Sequence, residues 1–437
     1  MKKAFSILLA CATVLALLAG CTATPDTPVD GTTTAASTTT TAATTTTTAE
    51  ETDMTTSTTA TAATTVTQTP ATTSTTAKTT TTTKKTTTTK VPTTTLAPIT
   101  PTAPYKVALS DDRLHYEGRT MIENNSVLLD WTGTGVTMQV QGGDVRVKLT
   151  SDHAQSSLLA PYFAVYINGK RKKTVVANCE TEWQTVASNL PTNRYSTVSI
   201  VKLSEAMYST ATLYDIELTG VLGPKPTLPD RKMLILGDSI TCGWGSKTAS
   251  VSDNFTTPTE DGSLTYGWLL ADRFDAQKHI LAVSGNGLAT SNTGSTTSAL
   301  LPQQLPFVHY EGDYNGPKWD HSSYQPDLIL VNLGTNDVFA GSPADRLRNG
   351  VKSFSATLRQ TYPDATIVWV YGLMTAAQES TIRLTVEEVA ETDSKVHYLY
   401  VDPVSGVELG SGTHPNERGH KRAADELEPQ LREIMGW

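Results

Sequence analysis

The sequence predicts a parallel α/β sheet with helices on both faces, preceded by an all-β sandwich of jelly-roll-like type. Three observations carry this prediction. From residue 231 onward, short apolar runs alternate with segments of helical period, the pattern of a parallel sheet covered on both sides. Residues 105–222 hold about eight short strand signals and almost no helical period. A proline-rich joint, Leu222-Gly223-Pro224-Lys225-Pro226-Thr227-Leu228-Pro229-Asp230, separates the two patterns.

The chain of 437 residues is long enough for two or three domains. Lys2 and Lys3 precede an apolar stretch from Ala4 to Leu18, which reads as a secretory signal over residues 1–20. Leu18-Ala19-Gly20-Cys21 resembles a bacterial lipobox, which implies cleavage before Cys21 and lipidation of its thiol; ordinary signal cleavage elsewhere is the alternative. No other stretch is long and apolar enough to span a bilayer. Residues 21–104 are dominated by Thr, with Ala, some Pro and a few lysines (Lys78, Lys84, Lys85, Lys90). Such a segment cannot bury enough apolar surface to order itself, so it is expected to be a disordered tether, open to O-glycosylation. Localisation follows as extracellular, anchored by lipid to the outer face of a bacterial cell membrane.

In the all-β segment, Val145, Val147 and Leu149 alternate with Arg146 and Lys148, the period of a half-buried strand. Phe163, Val165 and Ile167 repeat this, and Asn168-Gly169 supplies a two-residue hairpin turn before Thr174-Val175-Val176. Closing or stacking such strands protects their edges, hence a sandwich. Beyond the joint, residues 231–437 form the second domain. Leu264 to Ala276 reads as an amphipathic helix, as does Arg346 to Tyr362 with Leu347, Val351, Phe354 and Leu358 on one face. Thr366–Tyr371 and Val396–Val401 read as strands, Ile382–Ala390 as a helix, and a last helix runs from about Asn416 to Met435.

Net charge is −9 with a pI near 5.4. That excludes nucleic acid as an expected partner, because phosphate binding needs a basic face. Cys11 leaves with the signal and Cys21 would carry lipid, so Cys179 and Cys242 remain. With no framework spacing they read as two free buried thiols, a disulfide between them being the alternative. Neither cysteines nor histidines show metal-ligand spacing, so no metal and no cofactor are expected.

Three blocks carry chemistry. Gly237-Asp238-Ser239-Ile240-Thr241 follows the strand signal Met233–Leu236, and a serine on the turn leaving a parallel strand sits at the carboxyl edge where open sheets place ligands. Gly334-Thr335-Asn336-Asp337 follows Leu328–Val331. His414-Pro415-Asn416-Glu417-Arg418-Gly419-His420 opens the last helix.

In this order the blocks resemble the SGNH (GDSL-like) hydrolase superfamily, over roughly residues 231–437. Ser239, Asn336 and His414 match three of its four named positions, and the fourth lies in Val283-Ser284-Gly285-Asn286-Gly287. Gly285 is the match chosen there, with Gly287 as the alternative. The resemblance implies a flavodoxin-like sheet. It makes Ser239 the nucleophile, activated by His414 as base, and gives the oxyanion hole to the Ser239 N–H, the Gly285 N–H and the Asn336 amide. An all-β domain ahead of this one, with Leu128-Leu129-Asp130-Trp131-Thr132-Gly133 and Tyr162-Phe163-Ala164-Val165-Tyr166-Ile167-Asn168-Gly169-Lys170, resembles carbohydrate esterase family 2. Members of that family are acetyl esterases acting on plant polysaccharides.

One position departs from the superfamily pattern. The Asp common three residues before the histidine is Ser411 here. A backbone carbonyl near Ser411 or Gly412 would then orient the ring, as a Ser-His dyad; Asp402 is the other candidate. His420, on another helix face, reads as structural. Trp319 and Trp244 are the aromatic candidates for the sugar pocket, while Trp268 and Trp369 read as core.

The expected activity is removal of O-acetyl groups from xylan or mannan through an acetyl-enzyme, by a monomer without cofactor. An esterase or lipase on another ester, such as O-acetylated cell-wall glycan, uses the same residues. A carbohydrate-binding surface protein with a weakened site is the reading from a different class, motivated by Ser411. The sandwich either binds glycan or buttresses the catalytic domain.

Overall fold

The computed structural model describes residues 95–151, 158–178 and 181–437. The signal segment, Cys21, most of the Thr-rich tether and Cys179 lie outside the described residues.

Within the all-β region the described strands are β1 (Tyr105–Val107), β2 (His115–Glu117), β3 (Ile122–Glu123), β4 (Ser126–Leu129), β5 (Gly135–Gln141) and β6 (Gly143–Ser151). They continue as β7 (Tyr162–Ile167), β8 (Lys170–Val176), β9 (Glu182–Leu190), β10 (Ser196–Lys202), β11 (Ala211–Leu218) and β12 (Val221–Leu222). One antiparallel sheet runs β3-β4-β11-β6-β9 with β1 on β11; the other runs β12-β5-β10-β7-β8 with β2 on β5. Val147, Leu149 and Ile216 of the first sheet bury against Met138, Val165 and Val198 of the second, which makes the pair a sandwich. Asn168 (φ +52°) and Gly169 (φ +72°) form the β7–β8 turn in the left-handed conformations such a hairpin needs. The expected tether boundary at 104 is too late. Leu96 N–H donates to Asn193 O, Ile99 N–H to Thr192 O and Thr102 N–H to Thr219 O, so this stretch is already tied to the sandwich.

The second region is a parallel sheet of β13 (Arg231–Gly237), β14 (Ala276–Ala282), β15 (Leu328–Asn332), β16 (Thr366–Gly372) and β17 (Val396–Val401), in the order β14-β13-β15-β16-β17. All four pairings are parallel. Successive strands switch direction around β13, so β13 and β15 flank the topological switch point, the crevice where open α/β sheets bind ligands. The strands alternate faces. Met233, Ile235 and Leu330 pack under helices Tyr266–Arg273 and Glu417–Met435. Leu234, Leu236 and Val331 pack under Ala344–Thr361 and Glu379–Ala390. Both faces are thus buried, as near-continuous apolar strands require. The helix expected to reach Ala276 stops at Arg273, because Asp275 (φ +50°) turns the chain and Ala276 already begins β14.

The two regions share their interior. Val201 of β10 joins the core on one face of the parallel sheet and Trp131 joins the other. The Trp131 indole N–H donates to Val308 O at 2.8 Å. Arg119, 1 % exposed, donates through Nη1 to Leu305 O (2.6 Å) and Phe307 O (2.8 Å).

Candidate active site

Ser239 leaves the carboxyl end of β13 on a single helical turn, Ser239–Cys242. Gly237 is required there, since a Cβ would stand 2.0 Å from Thr241 Oγ1. Asp238 caps the turn by accepting the Ile240 N–H at 3.0 Å. Gly243, at φ +95°, ends it.

His414 follows a 3-10 turn, Ser411–Thr413, in which Gly412 is left-handed (φ +58°). Its Nε2 lies 2.8 Å from Ser239 Oγ, and its Nδ1 lies 3.2 Å from Ser411 O. A carbonyl can only accept, so the proton sits on Nδ1 and the Nε2 lone pair faces the serine hydroxyl. Burial pushes the His414 imidazole down to about 4, against the opposing pull of the Ser411 and Gly412 carbonyls. The ring is therefore neutral at ordinary pH and able to take the serine's proton. Ser411 cannot serve through its side chain: its hydroxyl donates to Asp253 O (2.8 Å), while its N–H donates to Thr248 Oγ1 (2.7 Å). Asp402 is exposed and lends its backbone carbonyl to Arg422.

The Val283–Gly287 segment leaves β14 beside this pair. Gly285 is left-handed (φ +76°), and a Cβ there would meet Asn292 Nδ2 at 2.7 Å. Among the described residues its N–H has no partner, whereas the Gly287 N–H is taken by Ala299 O at 3.1 Å. The geometry therefore favours Gly285 over Gly287 as a donor to a substrate. Asn336 lies on the short helix Thr335–Phe339 after β15. Its amide nitrogen contacts Asp238 Oδ2 (3.2 Å) and Asn286 O (2.9 Å). Next to it, Asp337 accepts the N–H groups of Leu288, Ala289 and Thr290 at 2.8, 2.7 and 2.7 Å, stitching the Asn336 helix to the Gly285 segment. Asp238 is fully buried, which raises its carboxyl to about 7, with Asp337 and Glu205 adding to the rise.

The structure separates the two aromatic candidates. Trp244 stacks on His414 with centroids 5.5 Å apart, and on Phe255 at 3.7 Å. Tyr208 of the sandwich completes this wall, 4.8 Å from Phe255. Trp319 does not join it. Its ring meets His279 edge-on at 5.7 Å and carries Arg119 over its face at 5.4 Å. His279 pairs with Leu234, about 10 Å short of the carboxyl end of β13. Trp319 is held there by interdomain packing that sequence spacing does not reveal. His420 is buried beneath Tyr266, accepting its N–H at 3.4 Å.

Sequence reasoning missed Tyr208, Phe255 and Glu205, all of which reach the site from outside the motif blocks. Glu205, Cys242 and Glu260 place one ligand-type atom each within 4.8 Å of one another, the described cluster nearest to a metal-binding arrangement. Glu205 accepts from Ser284, Glu260 Oε2 accepts the Glu205 N–H at 3.0 Å while its Oε1 has no hydrogen-bond partner among the described residues, and Cys242 Sγ lies 3.5 Å from Glu205 Oε2. Cys242 is a buried free thiol, raised well above its usual range by burial and by Glu205.

Two family models match this chain. The GDSL-like Lipase/Acylhydrolase family covers residues 235–422, and the Carbohydrate esterase 2 N-terminal family covers residues 116–226. A protein of Cellvibrio japonicus (strain Ueda107) named acetylxylan esterase / glucomannan deacetylase is 32 % identical over 342 residues, 76 % of this chain and 92 % of that protein. The solved structure of a family two carbohydrate esterase from Cellvibrio japonicus is 29 % identical, with a TM-score of 0.70 over 77 % of this chain and 99 % of that one. Another, from Clostridium thermocellum in complex with cellohexaose, is 25 % identical with a TM-score of 0.69, covering 74 % and 99 %. With both family models in order and a relative matched over nearly its whole length, the chain belongs to carbohydrate esterase family 2.

Proposed function

We propose that this protein is an extracellular serine esterase that removes O-acetyl groups from plant polysaccharide of the xylan or mannan type. The observation that carries the reading is the Ser239–His414 contact, with Nε2 at 2.8 Å from the hydroxyl and Nδ1 turned to the Ser411 carbonyl. His414 takes the Ser239 proton as Oγ attacks the acetyl carbonyl. The N–H groups of Ser239 and Gly285, with the Asn336 amide replacing its longer contact to Asp238, receive the oxyanion. His414 then protonates the departing sugar hydroxyl, leaving an acetyl-enzyme. Water, deprotonated by the same imidazole, attacks its carbonyl, and the imidazolium returns the proton to Ser239 Oγ as that bond breaks and acetate leaves. In this reading the site is a Ser-His dyad, and the Ser411 carbonyl does the orienting that a carboxylate does in a triad.

The polymer assignment is supported by the relative named acetylxylan esterase / glucomannan deacetylase. The wall of Trp244, Phe255 and Tyr208 beside His414 offers flat apolar surface for the C–H faces of sugar rings. The protein acts as a monomer, lipid-anchored through Cys21, with the Thr-rich segment as spacer. The test is acetate release from acetylated xylan and acetylated glucomannan by the chain lacking its signal segment, beside Ser239→Ala. Release that disappears in the variant supports the reading and ranks the polymers. Cleavage of p-nitrophenyl acetate alone would refute the substrate, and no cleavage of either would refute the esterase.

A further inference from the structure

Glu205 belongs to the sandwich, in the turn between β10 and β11, yet it is fully buried in the catalytic region. Its carboxylate accepts the Ser284 N–H at 2.7 Å through Oε2 and the Ser284 hydroxyl through Oε1. Its own N–H donates to Glu260 Oε2 at 3.0 Å. Lys202 Nζ donates to the carbonyls of Ser204 (2.7 Å) and Glu205 (3.0 Å), which fixes the turn and brings a positive charge beside the two acids. Cys242, at the end of the nucleophile's helical turn, touches Oε2 at 3.5 Å.

Ser284 is the residue immediately before Gly285, and the Gly285 N–H belongs to the peptide that joins them. Two bonds from one carboxylate hold the backbone N–H and the side chain of Ser284 at once, and so fix the residue from which that peptide departs. Gly285 itself is left-handed, with no Cβ to lock it. Its N–H thus lies between two fixed points, Ser284 held by Glu205 and its own carbonyl held by the Asn292 N–H at 2.9 Å. Resting on the esterase reading above, we infer that Glu205 is a positioning residue for the oxyanion hole. The sandwich then serves the reaction directly, reaching across the domain junction to aim a catalytic N–H. The role is geometric: a misplacement of about 1 Å at such a donor can cost on the order of 10²-fold in rate.

The test compares wild type with Glu205→Ala, Glu205→Gln and Ser284→Ala, with folding monitored by thermal denaturation. kcat and KM are measured on p-nitrophenyl acetate. The second readout is phosphonylation of Ser239 by ethyl p-nitrophenyl methylphosphonate, in which Oγ loses its proton to His414 and bonds to phosphorus, p-nitrophenolate leaves, and the phosphoryl oxygen, which gains negative charge in the transition state, occupies the oxyanion site. Glu205→Ala should lower kcat and the phosphonylation rate together by roughly 10²-fold, with KM within about threefold. Glu205→Gln should stay within about tenfold of wild type, since its amide oxygen can still accept the Ser284 N–H while its amide N–H donates to the hydroxyl. Ser284→Ala, which loses one of the two bonds, should fall between them. If Glu205→Ala does not fold, Ser284→Ala decides. Folded variants that keep wild-type kcat and phosphonylation, or that change KM alone, would overturn the inference and leave the esterase reading intact. A wild-type protein that neither cleaves the acetate nor reacts with the phosphonate would overturn both.

Discussion

Introducing a carboxylate at residue 412 tests the electrostatics of the site most sharply. A Cβ on Gly412 would stand 3.6 Å from His414 Nδ1 and 3.9 Å from Trp244 Nε1, so Gly412→Asp brings an anion to both N–H groups. The left-handed backbone there (φ +58°) is one that Asp adopts at a cost of about 1–2 kcal/mol. In the wild type His414 is held at about 4, so the acid limb of kcat/KM should fall near pH 4. At pH 5 about 90 % of such a base is neutral, against about 3 % of an unperturbed imidazole. A carboxylate against Nδ1 favours the charged ring and raises it by roughly 1–3 units, which moves the limb to roughly pH 5–7. Initial rates on p-nitrophenyl acetate between pH 3.5 and 8 read this directly. The variant should match wild type at pH 8 and fall well below it at pH 5. A wild-type limb at or above pH 6 would refute the argument from burial. A folded Gly412→Asp with an unmoved limb would refute the orientation of Nδ1 toward residues 411 and 412.

Asn336→Ala should lower kcat on p-nitrophenyl acetate by roughly 10²–10³ at nearly unchanged KM, as loss of one oxyanion donor does. Asp238 is raised to about 7 in the folded state, so its proton is retained on folding between pH 3.8 and 7. Its stabilising contribution is complete below pH 3.8 and lost as pH rises through 7. Urea midpoints of Asp238→Asn should therefore gain on wild type from pH 4 to 7 and level off above. Arg119→Met strands the buried carbonyls of Leu305 and Phe307, and should cost roughly 2–5 kcal/mol in urea unfolding with kcat unchanged.

Much of the site was legible because its chemistry is tied to strand ends. Ser239, Gly285 and Asn336 each follow an apolar run within a few residues, and the parallel pairing of β13, β14 and β15 brings those ends together. His414 was legible from its place ahead of the last helix, whose N-cap Asn416 accepts the Arg418 and Gly419 N–H groups. The contact of His414 Nδ1 with the Ser411 carbonyl was also legible in outline, since a carbonyl near Ser411 was one of two options. What spacing could not supply was the docking of one region on the other. Trp319 looked like a pocket residue because it precedes β15, yet Arg119 of the sandwich and His279 hold it toward the far end of the sheet. Glu205 and Tyr208 carry no motif at all, and only the packing of the sandwich turn beside the Gly285 segment gives them a place. The sandwich also begins earlier than composition indicates, because the Thr/Pro-rich residues around Leu96 and Ile99 find backbone partners along it.

Cys242 gives this junction a built-in clock. Its thiol is sealed between the helical turn that Ser239 opens and Glu205, and burial holds it in the unreactive protonated form. An alkylating reagent can reach it only when the packing around it opens. The rate of alkylation at that one sulfur, read by peptide mass, thus reports how often the packing around the Ser239 turn and Glu205 opens under native conditions. Labelling as slow as global unfolding would mean that this part of the junction opens only as the whole unfolds.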